Sequence, residues 1–111
     1  MRLLLQLFGG RGAGSGRAYL HYGKQGKHWP WHNNFQVNKS ILTIDPGTVQ
    51  KLVEENRSQT HGQRETIDFG RIIGQWYDDK TQTFYDTTRG TIHWAKDGGY
   101  HLVPAKPNEL L

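Results

Sequence analysis

Two histidines near the carboxyl end of the sequence are spaced for acid–base chemistry. His93 lies in a predicted strand over 91–96, His101 lies in a predicted strand over 100–103, and residues 97–99 predict a tight hairpin turn between them. Because successive side chains of a strand point to opposite faces, apolar neighbours that face the core leave both imidazoles on one exposed face. Such a pair suits a general base and a general acid at neutral pH. The alternative is two ordinary surface histidines on a polar face.

A second group of chemically capable residues lies in the loop over 24–34. This loop interleaves cationic and aromatic side chains, namely Lys24, Lys27, His28, Trp29, Trp31 and His32. Cations between aromatic rings form a surface that suits phosphates and stacked bases. The alternative is that the two tryptophans anchor the core while the lysines are merely solvated.

Further hydrogen-bond donors follow without a carboxylate cluster among them: Lys39, Ser40, Arg71, Thr88, Arg89 and Lys96. Such donors stabilise the negative charge that develops on a phosphate during its cleavage. We therefore expect metal-free cleavage of a phosphodiester, in which a base takes the proton of the ribose 2′-OH and an acid protonates the leaving 5′ oxygen. Because this route needs the 2′-OH, the expected substrate is RNA rather than DNA.

These roles assign the candidate site residues. His28 and either His101 or His93 are the acid and the base, and which of them is the base stays open. The catalytic candidates, including the phosphate contacts, are His28, Lys39, Ser40, Thr88, His93 and His101. The RNA-binding candidates are Lys24, Lys27, Trp29, Arg71 and Lys96.

The sequence offers no recognisable metal or cofactor motif, so we expect neither. A metal nuclease uses several carboxylates or a set of histidines and aspartates at ligand spacing, whereas the carboxylates here are scattered and no HExxH motif occurs. His28 and His32 have the spacing of a helical zinc pair, but Pro30 between them disfavours a helix. Cysteine is absent, which excludes disulfides, thiol nucleophiles and cysteine-based metal sites.

The charge balance favours an acidic partner. The formal net charge is +4, and six histidines come in addition. A basic surface attracts phosphate-bearing molecules, although many small basic proteins bind nothing acidic. No segment approaches the roughly 20 apolar residues of a membrane-spanning helix, so we expect no span.

One helix and several strands must position these residues. Asp45 and Pro46 are typical of an N-cap and a first helical position, and an apolar stripe of Val49, Leu52 and Val53 follows. Short strands are predicted over 18–22 and 40–44, and the loop over 24–34 is predicted to be irregular.

The sequence of the second half of the chain predicts a β-sheet. Strands are predicted over 64–77, with a bend near Gly70 and Gly74, and over 81–86, 91–96 and 100–103. The predicted fold is therefore α+β, with an N-terminal helical and loop segment packed on a four-stranded antiparallel meander.

The length of 111 residues leaves room for one domain. Residues 1–17 include a glycine-rich run and are predicted to be a linker or a remnant of a longer protein. The domain itself is predicted over 18–107, and 108–111 are predicted to be a tail.

Several of these motifs together resemble the polymorphic toxin type 50 domains. The opening of that family is similar to residues 24–28, 32–35 and 39–40, and its central strand to 67–74. Its closing hairpin is similar to Thr88, Gly90, 92–96 and 99–107. The resemblance covers residues 21–107.

The resemblance implies a ribonuclease toxin of the barnase–EndoU–colicin–RelE fold group, with helices packed on a four-stranded antiparallel sheet and a metal-independent site on its open face. It implies delivery as the carboxyl-terminal part of a larger secreted effector, such as a contact-dependent inhibition protein, and action in the target-cell cytoplasm. The expected partners are RNA, with tRNA foremost, and a cognate immunity protein that is acidic.

Two other classes of function remain open from the sequence. A nucleic-acid-binding module without catalysis would use the same basic and aromatic surface. A docking domain of a phage or secretion particle would use the glycine-rich segment as a tether. An ADP-ribosylating toxin would need a glutamate beside a nicotinamide pocket, and no such arrangement is recognisable.

Overall fold

The structure, a computed structural model, describes residues 18–57 and 63–111, so the predicted linker over 1–17 lies outside the described residues. The helical segments are α1 (Tyr22–Gln25), which runs into a 3-10 turn (Gly26–His28), α2 (Pro46–Asn56), and a second 3-10 turn (Asn108–Leu110) within the predicted tail. The strands are β1 (Tyr19–Leu20), β2 (Ile41–Leu42), β3 (Arg64–Asp68), β4 (Gly74–Asp78), β5 (Thr83–Thr87), β6 (Arg89–Trp94) and β7 (Gly99–Pro104).

Helix α2 forms where the sequence predicts it. Asp45 is the extended N-cap residue, and Pro46 occupies the first turn, where the missing N–H of proline costs no hydrogen bond. The first helical hydrogen bond runs from the Val49 amide to the Asp45 carbonyl, at 3.0 Å. Val49 and Val53 are buried on the side of α2 that faces the sheet. The predicted helix is confirmed.

The strands form two sheets, which confirms the α+β class but not the predicted meander. The larger sheet has the order β1-β7-β6-β3, and the smaller sheet has the order β2-β4-β5. All neighbouring strands are antiparallel except β1, which pairs with β7 in parallel. The predicted order of four consecutive antiparallel strands is therefore wrong.

The observed sheets differ from the predicted meander because residues 64–77, predicted to form one bent strand, form two strands in different sheets. This run breaks at Gly70, whose φ of 74° is a left-handed conformation that glycine adopts easily. The chain then leaves β3, which pairs with β6, and enters the other sheet at Gly74. A Cβ on Gly74 would lie 2.2 Å from the Ile41 carbonyl oxygen, so only glycine lets β4 approach β2 this closely.

The segment over 24–34, predicted to be irregular, begins as a continuation of helix α1. The His21 imidazole caps α1 by accepting a hydrogen bond from the Lys24 amide at 3.2 Å, and the Gln25 amide donates to the His21 carbonyl at 3.0 Å. Glycine and proline in this stretch predict loops, but the histidine cap stabilises one helical turn before them. The predicted strand over 18–22 is correspondingly limited to Tyr19–Leu20.

The core lies between α2 and one face of the larger sheet, and it extends to the smaller sheet. Its buried members are Trp29, Leu42, Ile44, Val49, Val53, Ile73, Ile92, Trp94, Tyr100 and Leu102. Trp29, Trp94 and Tyr100 carry large rings, which add volume to a core that the modest apolar content of the chain would otherwise leave small. The opposite face of the larger sheet is left free of this core.

Candidate functional site

The free face of the larger sheet, called the open face below, is defined by the alternation of its strands. In β6 and β7, Ile92 and Leu102 are completely buried, so the residues between them point to the other side. The open face carries Arg64, Thr66, Thr91, His93, His101 and Val103, which are exposed or half-buried.

His93 and His101 are direct neighbours on the open face. They are paired residues in the β6–β7 register, and their rings stack with centroids 4.9 Å apart and planes 15° apart. The predicted placement of both imidazoles on one face of the hairpin is confirmed. Their pairing follows from a turn that joins the two strands in sequence, which fixes the register locally.

His28 extends this pair into a row of three imidazoles, called the histidine row below. Its ring is nearly parallel to that of His101, with centroids 6.4 Å apart and planes 13° apart. The His28 Nδ1 lies 2.8 Å from the Ser40 carbonyl oxygen. Because a carbonyl only accepts, Nδ1 is the protonated nitrogen, and Nε2 is left as the atom that can accept or deliver a proton.

Gln25 holds the His28 segment against the sheet. Its side chain is completely buried, its Nε2 donates to the Leu102 carbonyl at 2.8 Å, and its Oε1 accepts from the Leu102 amide at 2.7 Å. The amide thus takes the place of a strand residue on the edge of β7 and fixes His28 beside His101. Sequence reasoning missed Gln25, because an isolated glutamine in a predicted loop carries no periodic or motif signal.

Ser40 supports the row through its backbone and its hydroxyl. Its carbonyl accepts from His28, and its Oγ accepts from the Tyr77 amide at 2.9 Å, so this residue joins the histidine to β4. The Ser40 side chain, predicted to contact phosphate, is instead buried and engaged with a backbone amide. Its contribution to the site is to position His28.

The three imidazoles favour their neutral form. The pKa of His101 is lowered to about 3, first by burial and then by the neighbouring His93 and His28. Burial is also the main cause of the lowered pKa values of His28 and His93. Burial disfavours a charged imidazole, and adjacent imidazoles disfavour it further because two charges would be close together.

Cationic side chains surround the row and add to this effect. Lys24 and Lys27 contribute to the lowered pKa of His101, Lys39 to that of His28, and Arg64 to that of His93. The row therefore lies in a positive field from both sides. Such a field attracts an anion, and an anion that binds there raises the pKa values of the imidazoles that it contacts.

Two depressions in the surface flank the row. A small pocket of about 70 Å³ lies on the β6–β7 turn side and is lined in part by Lys24, His93 and His101. A larger cleft of about 360 Å³ opens between the two sheets. This inter-sheet cleft is lined by His28, Asn38, Lys39, Ser40, Trp76, Tyr77, Asp79 and Val103.

Two of the predicted site residues lie away from the histidine row. Thr88 precedes β6 and lies five positions before His93, which corresponds to about 17 Å along a strand. Its carbonyl accepts from the Phe69 amide at 2.8 Å, and Arg71 lies in the connection that follows Phe69. Both predictions placed these residues at the wrong end of the sheet, because strand membership alone does not say which end faces the site.

The tryptophans of the 24–34 loop divide between core and surface. Trp29 is completely buried, and its indole N–H donates to the Ile44 carbonyl at 3.0 Å, so its predicted role in RNA binding is wrong. Trp31 stacks on Trp29, with centroids 4.8 Å apart, and is 58% exposed. Lys96 is exposed in the β6–β7 turn, beyond Trp94 and close to the small pocket in sequence.

Neither a metal cluster nor a membrane-spanning helix is present in the described ranges. Residues 18–57 and 63–111 contain no group of three or more histidine, cysteine, aspartate or glutamate side chains that could hold a metal ion. Over the same two ranges, no helix has the length and apolar character needed to cross a membrane.

Three stacked imidazoles and the cations around them give this α+β domain a surface that attracts anions. The family model of bacterial toxin 50, Ntox50, matches residues 20–104, which include the whole histidine row and all of both sheets except Tyr19. The chain therefore belongs to this family of bacterial toxin domains. No curated protein matches the chain.

Membership of this family has two general consequences. A polymorphic toxin domain is delivered into target cells by a larger effector, and a toxin of this kind implies a cognate immunity partner. A surface that carries the toxic activity is thus expected to be accessible both to a target molecule and to an inhibitor.

Proposed function

We propose that this domain is a metal-independent endoribonuclease that cleaves RNA through the ribose 2′-OH. The observation that carries the proposal is the histidine row of His93, His101 and His28 on the open face, with Lys24, Lys27 and Lys39 beside it. Paired imidazoles supply the acid and base that this chemistry requires, and the lysines stabilise the negative charge on the phosphoryl oxygens.

The reaction moves one proton on each side of the phosphorus. A neutral imidazole takes the proton of the 2′-OH, and O2′ attacks phosphorus as the bond to O5′ breaks. A protonated imidazole delivers its proton to O5′. The products are a 2′,3′-cyclic phosphate on one fragment and a free 5′-OH on the other.

We assign the base to His101 and the acid to His28. His101 has a pKa of about 3 in the free protein, so it is neutral when the substrate arrives. His28 donates its Nδ1 proton to the Ser40 carbonyl, a hydrogen bond that raises the pKa of His28 against the effect of burial. The bound phosphodiester anion raises it further, so the row takes up its acid proton on substrate binding.

The roles that we propose for the surrounding residues follow from this assignment. His93 stacks on His101 and restricts its ring, and Lys24, Lys27 and Lys39 contact phosphates on either side of the cleaved bond. Lys96 is exposed in the turn after β6, and we propose that it contacts RNA further along. The substrate that we propose is tRNA, and the proposed immunity protein is acidic and covers the open face.

The alternative of a binding module without catalysis would use the same lysines. It differs in one respect: the stacked imidazoles would then transfer no protons. The shift of the His101 pKa to about 3 favours the catalytic proposal, because ionisable groups with strongly shifted pKa values concentrate at active sites.

Substitution of the row tests the proposal. The purified chain is incubated with total tRNA, alongside His101→Gln, His28→Gln and the control Thr88→Val, which lies at the far end of the sheet. We expect either histidine variant to remain folded at the assay temperature but to lose about 10²- to 10⁴-fold in cleavage rate, and the control to retain its rate. Equal cleavage by all four proteins would remove the row from the mechanism.

A further inference from the structure

The inter-sheet cleft beside His28 takes no part in the proton transfers described above. It is continuous with the histidine row, because His28 lines both, and Val103 lies two residues beyond His101 on the same face of β7. Its volume of about 360 Å³ is within the range of sites that bind small ligands. Whatever occupies the cleft therefore lies next to the atoms on which the imidazoles act.

One wall of the cleft is the ring of Trp76. This ring is half-buried in β4, and Tyr85, its partner across the β4–β5 hairpin, lies 6.1 Å away. The Lys106 ammonium lies 5.9 Å from the Trp76 ring centroid. An aromatic wall with cations at its rim is the arrangement that binds a stacked base together with its phosphates.

The other end of the cleft is polar. Asp79, in the turn after β4, is exposed and makes no hydrogen bond or ion pair with any residue that the structure describes. Asn38 has a φ of 61°, a left-handed conformation that asparagine tolerates. A carboxylate only accepts hydrogen bonds, whereas an amide both donates and accepts. Together they suit a planar ligand that presents N–H donors, and guanine carries two such donors on one edge.

We propose that the inter-sheet cleft is a nucleobase subsite, in which the base next to the cleaved phosphate stacks on Trp76 and a guanine is preferred through Asp79. This proposal rests on the proposed ribonuclease function, since it places the base beside the phosphate on which His28 and His101 act. The subsite makes the domain selective for sequence, whereas the lysines around the row contact phosphates of any sequence.

Chimeric substrates separate a base subsite from general damage to the site. DNA oligonucleotides with a single ribonucleotide have one cleavable position, and they are prepared with guanine, with each other base or with no base on either side of that position. We expect Trp76→Ala to lower kcat/KM about 10- to 100-fold for the guanine substrate and to leave the rate on the abasic substrate unchanged. The matched control is Phe84→Ala, on the opposite face of the same hairpin.

The carboxylate is tested separately, because its side chain is exposed and its loss does not affect the core. Asp79→Asn is expected to reduce the preference for guanine over the other bases while cleavage of the abasic substrate stays the same. A loss by Trp76→Ala that is equal on guanine and abasic substrates would overturn the subsite. An unchanged rate on every substrate would also overturn it.

A binding measurement distinguishes failure of the subsite from failure of the ribonuclease proposal. Guanosine 3′-monophosphate is added to the unsubstituted protein while the indole N–H resonances of the tryptophans are followed by NMR. A shift of the Trp76 resonance in a protein that cleaves no RNA supports the subsite and rejects the ribonuclease. RNA cleavage that is indifferent to Trp76, with no shift of its resonance, rejects the subsite and leaves the ribonuclease in place.

Discussion

The chemistry of this domain depends on three imidazoles that are kept neutral by their neighbours. His101 is the most affected, because it lies between the other two rings and is partly buried. In the proposed mechanism the surrounding lysines attract the phosphate, and the neutral imidazole acts as the base once the phosphate balances the local charge. The same arrangement makes the fold sensitive to acid.

The first prediction concerns stability against pH. The pKa values of the three imidazoles are lowered in the folded protein, to about 3 for His101, whereas an unfolded histidine has a pKa near 6.5. As pH falls from 7 towards 4, the unfolded chain binds more protons than the folded chain does. The free energy of unfolding therefore decreases. We expect His101→Gln to show a smaller decrease over this range, measured by urea unfolding at each pH.

Comparison with a non-titrating control makes this result specific. Aspartates with lowered pKa values, such as Asp68 and Asp97, also make the fold less stable in acid. Their contribution is the same in every variant and cancels in the comparison. Gln50→Ala, a change at an exposed residue of α2, is expected to follow the unsubstituted protein. Parallel curves for all three proteins would contradict the lowered pKa of His101.

Individual residues were predictable from the sequence where a local rule fixed them. The alternation of a strand places His93 and His101 on one face, and the turn between the strands sets their register. Thr88 and Arg71 were misplaced because their distance from the histidines depends on strand pairing. Trp29 was ambiguous because aromatic rings serve cores and ligand surfaces equally well.

At the scale of elements, the position of the short helical segment Tyr22–His28 determines whether the site is complete. The segment supplies His28, and the Gln25 amide ties it to Leu102 on the edge of β7. The side chain makes both bonds at once because its amide group carries a donor and an acceptor. This one contact therefore couples the stability of the domain to the geometry of the histidine row.

The second prediction follows from this coupling. Gln25→Met preserves the volume of the side chain but leaves the amide and carbonyl of Leu102 buried without partners, so we expect a loss of about 3 kcal/mol in the free energy of unfolding. Cleavage of RNA is expected to fall as well, because His28 is no longer held beside His101. Chemical denaturation and a cleavage assay measure the two effects.

The matched control for this change is Gln36→Met. Gln36 is exposed, so its substitution is expected to change the stability by less than about 0.5 kcal/mol. If both substitutions had the same small effect, the bridge from Gln25 to β7 would not be what holds the segment in place.

Helix α2 was predictable because its signals are local: a capping aspartate, a proline and an apolar stripe. The pairing of the strands was not, since a period of two says that a segment is extended but does not name its partner. The run over 64–77 shows the difference, because its bend was predicted at Gly70 and Gly74 while its entry into a second sheet was not.

At the scale of the whole molecule, the two sheets and the net charge of +4 determine which surface is available to bind a target. The open face is polar and flanked by lysines, while α2 and the core occupy the opposite face. The inter-sheet cleft exists only because the strands divide into two sheets. This division is set by non-local packing, which is why a single meander was predicted in its place.

The third prediction concerns the salt dependence of RNA binding by the cleavage-deficient His101→Gln protein. Contacts to phosphates release counterions, so the logarithm of affinity falls with the logarithm of salt concentration by about 0.7 per contact for single-stranded RNA. Replacement of Lys24 and Lys27 by glutamine is expected to reduce this slope by about 1.4. Fluorescence anisotropy over a salt series measures it.

Lys51→Gln serves as the control for this prediction, because Lys51 is exposed on α2, on the side of the sheet opposite the open face. It removes one positive charge without altering the surface around the histidine row. If Lys51→Gln lowered the slope by about 0.7, the same amount per lost charge as the double variant, net charge rather than the open face would govern binding.

The most direct test of the central claim is the structure of the RNA ends produced by the purified domain in the presence of EDTA. The proposed mechanism predicts fragments that end in 2′,3′-cyclic phosphate and 5′-OH groups, and it predicts that a single 2′-deoxy substitution at a mapped cleavage position abolishes the cut. Fragments that end in 3′-OH and 5′-phosphate groups would contradict it, as would RNA that stays intact in EDTA and is cut only when a divalent metal ion is restored.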